Sequence, residues 1–144
     1  MAGIARGRRL AAPAGSTVRP TADRVREAMF NMLASLDVLD GARVVDLFAG
    51  SGALGIEALS RGAAHAVLVE RDAAARRVIG ANLATTGLAD RARIVAGSAE
   101  AFLRSTTEGF DLVFADPPYA YDAWPDLLAL LGRVLAGVAV LESD

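Results

Sequence analysis

The sequence predicts a doubly wound α/β fold with a mostly parallel sheet, on three observations. From residue 41 onward, short apolar segments alternate with longer segments of helical character. The short segments consist almost entirely of Val, Leu, Ile and Phe, the composition of parallel strands that helices cover on both faces. A glycine-rich turn follows the first of them, where Rossmann-like folds bind their ligands. With 144 residues, the chain is long enough for one such domain.

The first forty residues precede this alternation. The segment around Arg8 predicts a short hairpin, and Thr21 or Asp23 is suited to cap a helix that extends to about Leu36. Apolar residues recur in this helix at helical spacings, which predicts one buried stripe. The stripe consists of Val25, Met29, Met32, Leu33 and Leu36. We therefore predict a basic N-terminal arm and helix packed on the core, residues 1–40, and a main domain, residues 41–144.

The main domain is predicted to contain five strands and four helices. The strands span residues 43–48, 65–70, 92–96, 110–115 and 137–141, and the helices span residues 52–61, 72–86, 98–105 and 122–135. The sequence ends directly after the fifth strand, which would leave a sheet edge uncovered. We therefore expect the C-terminal strands of this fold to be missing from the chain.

Composition excludes several kinds of site. The chain has no cysteine, which rules out disulfides, thiolate zinc sites and a cysteine nucleophile, and with one histidine we expect no metal site. No apolar run approaches the roughly 18 residues of a membrane-spanning helix, and the basic N-terminus lacks the apolar region of a signal peptide. We expect a cytoplasmic monomer without a membrane partner.

Charge is distributed unevenly along the chain. Residues 1–26 carry six arginines and one acid, a net charge of +5, whereas the remainder carries nine arginines and sixteen acids, a net charge of −7. A basic segment on an acidic domain is typical of an arm that binds a polyanion.

The first motif runs from Asp46 to Gly52, from a strand into a helix. Gly50 and Gly52 permit positive φ and let a ligand approach the backbone, and Gly55 permits close packing of helix on strand. Glu70 ends the second strand, where a carboxylate accepts hydrogen bonds from ribose hydroxyls.

Asp46 decides which nucleoside cofactor suits this loop. NAD would bring a pyrophosphate to the helix N-terminus, and a carboxylate would repel it. S-adenosylmethionine would bring a sulfonium and an ammonium, which a carboxylate attracts. The alternative interpretations are an Asp46 satisfied by loop amides and a Glu70 that is a solvated turn acid.

The second motif is Asp116-Pro117-Pro118-Tyr119, directly after the fourth strand. Its prolines fix φ and remove two N–H donors, which leaves a rigid edge of acceptors. The Asp116 carboxylate and the Pro117 carbonyl suit an exocyclic amino group, and Tyr119 is able to stack on a flipped base. The alternative is a proline-rich turn in which Tyr119 covers the core.

Ser98 and the aromatic pair Tyr121 and Trp124 each admit two roles. Ser98 and Ala99 are predicted to line an adenine pocket, although Ser98 suits a helix N-cap better. Tyr121 and Trp124 either form a base-binding wall or pack on the core, and Glu57 is expected to make a charged surface contact.

These segments together resemble the RsmD family of bacterial methyltransferases, which modify a guanine N2 in 16S ribosomal RNA. The resemblance rests on residues 19–31, 46–63 and 116–119 and covers nearly the whole chain. It implies a class I S-adenosylmethionine-dependent methyltransferase fold, S-adenosylmethionine as donor, S-adenosylhomocysteine as product, no metal, and 16S rRNA in a partly assembled 30S subunit as partner. The chain departs from the family at Ser98, where an Asp is often found.

The motifs and the resemblance give a set of expected site residues. Those expected at the donor are Thr21, Arg24, Asp46, Phe48, Ala49, Gly50, Ser51, Gly52, Gly55, Glu70, Arg71, Ser98 and Ala99. Those expected to hold the guanine as catalytic residues are Asp116, Pro117, Pro118 and Tyr119. Those expected to contact RNA are Arg6, Arg8, Arg9, Arg19 and Arg26.

Three other functions stay open from the sequence. A DNA adenine-N6 or cytosine-N4 methyltransferase shares the second motif, but such enzymes usually carry a separate target-recognition region. An NAD-dependent oxidoreductase would need a hydride-site His or Lys, and the chain has no Lys. The third is an RNA-binding module without catalysis.

Overall fold

A computed structural model of the chain describes residues 20–118 and 121–141, with side chains from Asp23 onward. Within these residues, five parallel strands form one sheet in the order β3-β2-β1-β4-β5. The strands are β1 (Arg43–Asp46), β2 (His65–Glu70), β3 (Ala92–Ala96), β4 (Phe110–Ala115) and β5 (Leu135–Leu141). The helices are α1 (Pro20–Ser35), α2 (Ala53–Ser60), α3 (Ala73–Thr86), α4 (Ala99–Ser105) and α5 (Trp124–Leu131), with a 3₁₀ turn at Ala89–Arg91. The predicted α/β class is confirmed.

The sheet separates two apolar clusters, because successive side chains of a strand point to opposite faces. Val44 belongs to a cluster with residues of α1, α2 and α3, whereas Val45 belongs to a cluster with residues of α4 and α5. Both valines are fully buried. Helices on both faces explain why the strands are almost continuously apolar.

The strand order places the ligand-binding edge. The chain runs outward from β1 through β2 to β3, then crosses back to put β4 on the other side of β1. The reversal makes a crevice at the carboxyl ends of β1 and β4, which is where doubly wound folds bind ligands. Both motifs leave the sheet at this point.

Several helix and strand boundaries differ from those predicted. β1 ends at Asp46 rather than at residue 48, and α5 ends at Leu131 rather than at residue 135. β5 begins at Leu135, because the apolar residues after Arg133 pair with β4 instead of continuing the helix. The 3₁₀ turn before β3 was not predicted.

The capping prediction for α1 was wrong. The helix begins at Pro20, a residue suited to the first helical position because its φ is already helical and it lacks an N–H. Thr21 and Asp23 therefore lie within the first turn. Asp23 faces the positive end of the helix dipole there, and its carboxylate accepts a 2.9 Å hydrogen bond from Arg26.

The predicted apolar stripe of α1 was correct only in part. Leu33 is buried and Met29 is half-buried, but the other three predicted members, Val25, Met32 and Leu36, are each more than half exposed. Phe30, which was not predicted, is fully buried, and its ring lies 5.5 Å from that of Phe114 on β4. The contact of Phe30 and Leu33 with the core fixes the rotation of the helix.

Glu57 was predicted at the surface, and this prediction was wrong. Its side chain is 1% exposed and pairs at 2.7 Å with Arg61, one turn further along α2. Arg61 also donates to Asn31 at 3.0 Å and lies over the ring of Phe30. These contacts bury the ion pair because α1 covers this face of α2.

Gly55 lies where α2 crosses β2. A Cβ at this position would lie 2.6 Å from Leu68 Cδ2, closer than the packed core allows. We expect Gly55→Ala to lower the free energy of unfolding by about 1–3 kcal/mol, measured by urea denaturation.

A matched control for this substitution lies in α3. A Cβ on Gly80 would meet nothing within 4 Å. We expect Gly80→Ala to raise the free energy of unfolding by about 0.5–1 kcal/mol, since alanine favours a helix interior. Equal effects of the two substitutions would show that α2 does not need the glycine for its contact with β2.

Candidate active site

The two motifs meet at one edge of the sheet. Asp46 at the end of β1 is in register with Phe114 of β4, two residues before Asp116. A cavity of about 640 Å³ lies at this edge and is lined by Ala49, Gly50 and Ser51 of the first loop and by Asp116 of the second. Its volume is that of a typical small-molecule site.

Backbone hydrogen bonds hold the first loop in shape. The Leu47 amide donates to the Phe114 carbonyl and the Ala49 amide to the Val69 carbonyl, each at 3.0 Å, which ties the loop to both neighbouring strands. Gly50 and Gly52 have φ of 58° and 86°, in the left-handed region that favours glycine. At Gly50 a Cβ would meet nothing within 4 Å, so the backbone there faces open space.

Two side chains outside the motif also fix the loop, and sequence reasoning missed one of them. Asn82 on α3 is buried and donates to the Ser51 carbonyl at 2.9 Å. An isolated Asn within a helix gave no signal of this role. Glu70, which was predicted at the site, accepts from the Gly50 amide at 2.9 Å through one oxygen and from the Asp72 amide at 2.9 Å through the other.

These bonds orient the Glu70 carboxylate toward the glycine loop. Each carboxylate oxygen accepts more than one hydrogen bond, so the group retains capacity for ligand hydroxyls. The ribose contact itself stays a prediction.

The carboxyl group of Asp46 has a pKa far above its ordinary value. Its pKa is raised to about 7, chiefly because the group is buried and also because the carboxylates of Asp116 and Glu70 lie nearby, against the lowering effect of the Phe48 and Gly55 amides. Among the described residues, neither of its carboxylate oxygens has a hydrogen-bond partner of normal geometry, although those two amides lie close enough to act on its charge. A buried carboxylate without a partner fits a site for a cationic ligand group.

The second loop presents its acid to solvent. Asp116 and Pro118 are exposed while Pro117 between them is buried, so the diproline corner is anchored to the core at its middle. The Pro118 carbonyl accepts from the Tyr121 amide at 3.2 Å and closes a turn. Tyr119 lies outside the described residues, and its stacking role stays a prediction.

Aromatic side chains connect this loop to the first one. The Tyr121 ring meets the rings of Phe48 and Trp124 edge to face, at 5.3 and 5.4 Å. Its hydroxyl donates to Glu100 on α4. Burial and the adjacent Glu100 carboxylate raise the pKa of the Tyr121 hydroxyl, so this hydroxyl keeps its proton. Tyr121 and Trp124 therefore pack on the core, as one of the two predicted alternatives required.

The loop after β3 has a structural role in the observed fold. Ser98 is the N-cap of α4, and its hydroxyl accepts from the Ala101 amide at 3.1 Å, as predicted. Ala99, next to it, is buried. Arg71, which follows β2, is exposed, and its carbonyl accepts from Arg76 at 2.8 Å. Contacts of Ser98, Ala99 and Arg71 with an adenine stay predictions.

Helix α1 contributes a different arginine to the cavity than expected. Arg24, predicted at the donor, is exposed and does not line the cavity, whereas Arg26, predicted to contact RNA, does. The predicted contact of Arg24 with the donor, like that of Thr21, whose side chain lies outside those described, stays a prediction. The cavity walls missed by sequence reasoning are apolar or small and carry no chemical signal: Val25, Met29, Ala53, Leu54, Phe114, Ala115 and Val140.

The other predicted RNA contacts, Arg6, Arg8, Arg9 and Arg19, lie outside the described residues, as does the predicted hairpin. In the part of the chain that the structure describes, no group of three or more His, Cys, Asp or Glu side chains is placed to hold a metal ion. None of its helices is long and apolar enough to cross a membrane.

The parallel sheet, the glycine loop and the acidic edge define the class I methyltransferase fold. A solved structure named "Putative methyltransferase yhhF from Escherichia coli" superposes with a TM-score of 0.86 at 41% identity, covering 100% of this chain and 80% of that one. A family model described as Conserved hypothetical protein 95 matches residues 1–142. The chain belongs to this family, the RsmD family.

Two relatives are similar over most of this chain. Ribosomal RNA small subunit methyltransferase D of Escherichia coli is 46% identical over 126 residues, 88% of this chain and 62% of the relative. "Putative rRNA methyltransferase YlbH" of Bacillus subtilis is 43% identical over 147 residues, 100% of this chain and 77% of the relative. The chain thus spans about three fifths of the length of the first relative and three quarters of the second.

Proposed function

We propose that the protein transfers a methyl group from S-adenosylmethionine to the exocyclic N2 of a guanine in 16S rRNA. The observation that carries the proposal is the shared cleft: one cavity is lined both by the glycine loop that directly follows the buried Asp46 and by the exposed Asp116, at the ends of neighbouring strands. Family membership and the printed names of the relatives support ribosomal RNA as the substrate class.

The residues of the first loop suit the donor. Asp46 would accept from its α-ammonium, Glu70 would accept from its ribose hydroxyls, and the open backbone face at Gly50 leaves room for its chain. Bound S-adenosylmethionine would supply a methyl group on a sulfonium. Breaking the methyl C–S bond would leave the sulfur as the neutral thioether of S-adenosylhomocysteine.

The second loop suits the acceptor. The lone pair of a guanine N2 is delocalised into the ring, so the amine is a poor nucleophile unless it is held in line with the methyl. The Asp116 carboxylate and the Pro117 carbonyl would accept its two N–H groups and hold the nitrogen. As the new C–N bond forms, the nitrogen becomes acidic and its proton passes to Asp116 or to water. Asp116 therefore positions the amine and need not be a strong base.

The direct test is a methylation assay with labelled S-adenosylmethionine. The substrates are 30S particles from a bacterium lacking its RsmD-family gene and duplex DNA, and the product nucleosides are identified by mass spectrometry. We expect N2-methylguanosine from the 30S particles. Methylation of DNA alone would overturn the choice of substrate, and calorimetry showing tight NAD binding without S-adenosylhomocysteine binding would overturn the donor.

The basic arm gives a second expected result. Replacing Arg6, Arg8 and Arg9 with glutamine removes three positive charges from the N-terminal segment. We expect weaker substrate binding and a salt dependence flatter by about 0.7–0.9 per lost phosphate contact, measured as log Kd against log salt concentration. A slope equal to that of the unsubstituted protein would show that the arm does not touch RNA.

A further inference from the structure

The cavity has two charged residues among its lining residues, Arg26 on α1 and Asp116 after β4. The remaining lining residues are apolar or small, apart from the hydroxyl of Ser51. A ligand that fills this cavity therefore needs an apolar body, a donor group for the carboxylate and an acceptor group for the guanidinium.

The Arg26 side chain is held in place rather than extended into solvent. It is 21% exposed, and one of its terminal nitrogens donates to Asp23 at 2.9 Å. A guanidinium has four further N–H donors in the same plane, so this ion pair orients a fork of donors without exhausting it.

We propose that Arg26 reads the O6 and N7 atoms of the target guanine inside the cavity, an inference that rests on the proposed function. Guanine presents N1–H and N2–H donors on one edge and the O6 and N7 acceptors on another, which is the pattern that Asp116 and Arg26 together would recognise. Adenine carries an amino donor in place of O6 and would set donor against donor. Arg26 thus selects the base, which narrows the RNA contact predicted for it from the sequence to the target guanine itself.

The test uses a substrate that loses one acceptor and keeps the reacting amine. We would reconstitute 30S particles with 16S rRNA carrying either guanosine or 7-deazaguanosine at the methylated position, mapped first with the unsubstituted protein. The analogue lacks N7 but retains N1–H, O6 and the N2 amine. The unsubstituted protein should show a kcat/KM about tenfold lower on the analogue.

The variants separate base reading from phosphate binding. Arg26→Met should lower kcat/KM on guanosine by about 10- to 100-fold and remove the difference between the two substrates. Arg26→Lys should lower kcat/KM less than Arg26→Met does, because a lysine ammonium still donates to O6 and N7 but lacks the planar fork. Arg104→Met, at an exposed arginine of α4 outside the cavity, controls for the loss of one charge. Binding of S-adenosylhomocysteine and the Tm should stay unchanged in all three variants.

Three outcomes would overturn the inference. An Arg26→Met variant that still discriminates between the two substrates would show that Arg26 does not contact the base. An unsubstituted protein that methylates the two substrates equally well would show that N7 is not read, and would assign Arg26 a phosphate contact instead. Both results leave the proposed function standing, whereas a protein that makes no N2-methylguanosine at all would end both proposals.

Discussion

Replacing Asp116 with alanine is expected to lower kcat for methyl transfer by about 10²- to 10³-fold while leaving S-adenosylhomocysteine affinity unchanged. Asp116 directly follows β4, is exposed, and lines the cavity. Its loss would leave the acceptor nitrogen held by one backbone carbonyl, so the amine would seldom be in line with the methyl. Single-turnover rates with 30S particles and calorimetry with S-adenosylhomocysteine measure the two effects separately.

The control is Asp122→Ala, which removes an exposed carboxylate close to the same loop. It should keep the unsubstituted rate, because no part of the proposed site depends on it. An Asp116→Ala variant with an unaffected rate would rule out the role assigned to this carboxylate, and a variant that loses donor binding instead would place Asp116 in the donor site.

Asp46→Asn should weaken S-adenosylhomocysteine binding by about 10- to 100-fold, because a hydrogen bond to an ionised partner contributes about 1.5–3 kcal/mol. The pKa of Asp46 is raised to about 7, so its charged form, which attracts the ammonium, is populated as the pH rises through that value. We therefore expect donor affinity of the unsubstituted protein to increase between pH 6 and about pH 8. The same titration should be absent from the asparagine variant.

The stability of the donor-free protein should change in the opposite direction. The folded state holds a proton on Asp46 up to about pH 7, whereas the unfolded chain releases it near the ordinary value of 3.8. The free energy of unfolding should therefore fall as the pH rises from about 4 to 7 and level off above. Asp46→Asn removes this loss, so at pH 8 the variant should be more stable than the unsubstituted protein, by at most about 4 kcal/mol.

Urea denaturation across this pH range checks the stability effect. Asp90→Asn, at an exposed acid of the 3₁₀ turn, is the matched control and should shift neither stability nor donor affinity. An Asp46→Asn variant that binds the donor normally would show that Asp46 is a structural residue, satisfied by the loop amides.

The sequence was sufficient to predict that the two motifs lie at the same edge of the sheet. Asp46 ends the apolar strand β1 and Asp116 directly follows the apolar strand β4, and neighbouring parallel strands end at the same edge of the sheet. Their residue types and the glycines between them are chemical signals that do not depend on distant packing. The close packing of helix on strand that was predicted at Gly55 is confirmed, because a Cβ there would lie 2.6 Å from Leu68 Cδ2.

The parts that could not be predicted depend on how α1 lies on the domain. Periodicity alone placed Val25 and Met32 inside, but Phe30 and Leu33 contact the core and rotate the helix. That rotation brings Arg26 to the cavity instead of Arg24, and it buries the Glu57 pair on α2. The sequence shows that α1 carries apolar residues at helical spacing, but it does not show which of them face the core.

The predicted boundary between α5 and β5 was wrong for another physical reason. Leu135 suits a helix and a strand equally, and only pairing with Phe110 of β4 selects the strand.

A crystal structure with bound S-adenosylhomocysteine tests the shared-cleft account most directly. We predict the ammonium at Asp46, the ribose at Glu70 and the sulfur directed into the cavity between Asp116 and Arg26. A product whose sulfur is turned away from that cavity, or whose adenosine fills it, would contradict the account.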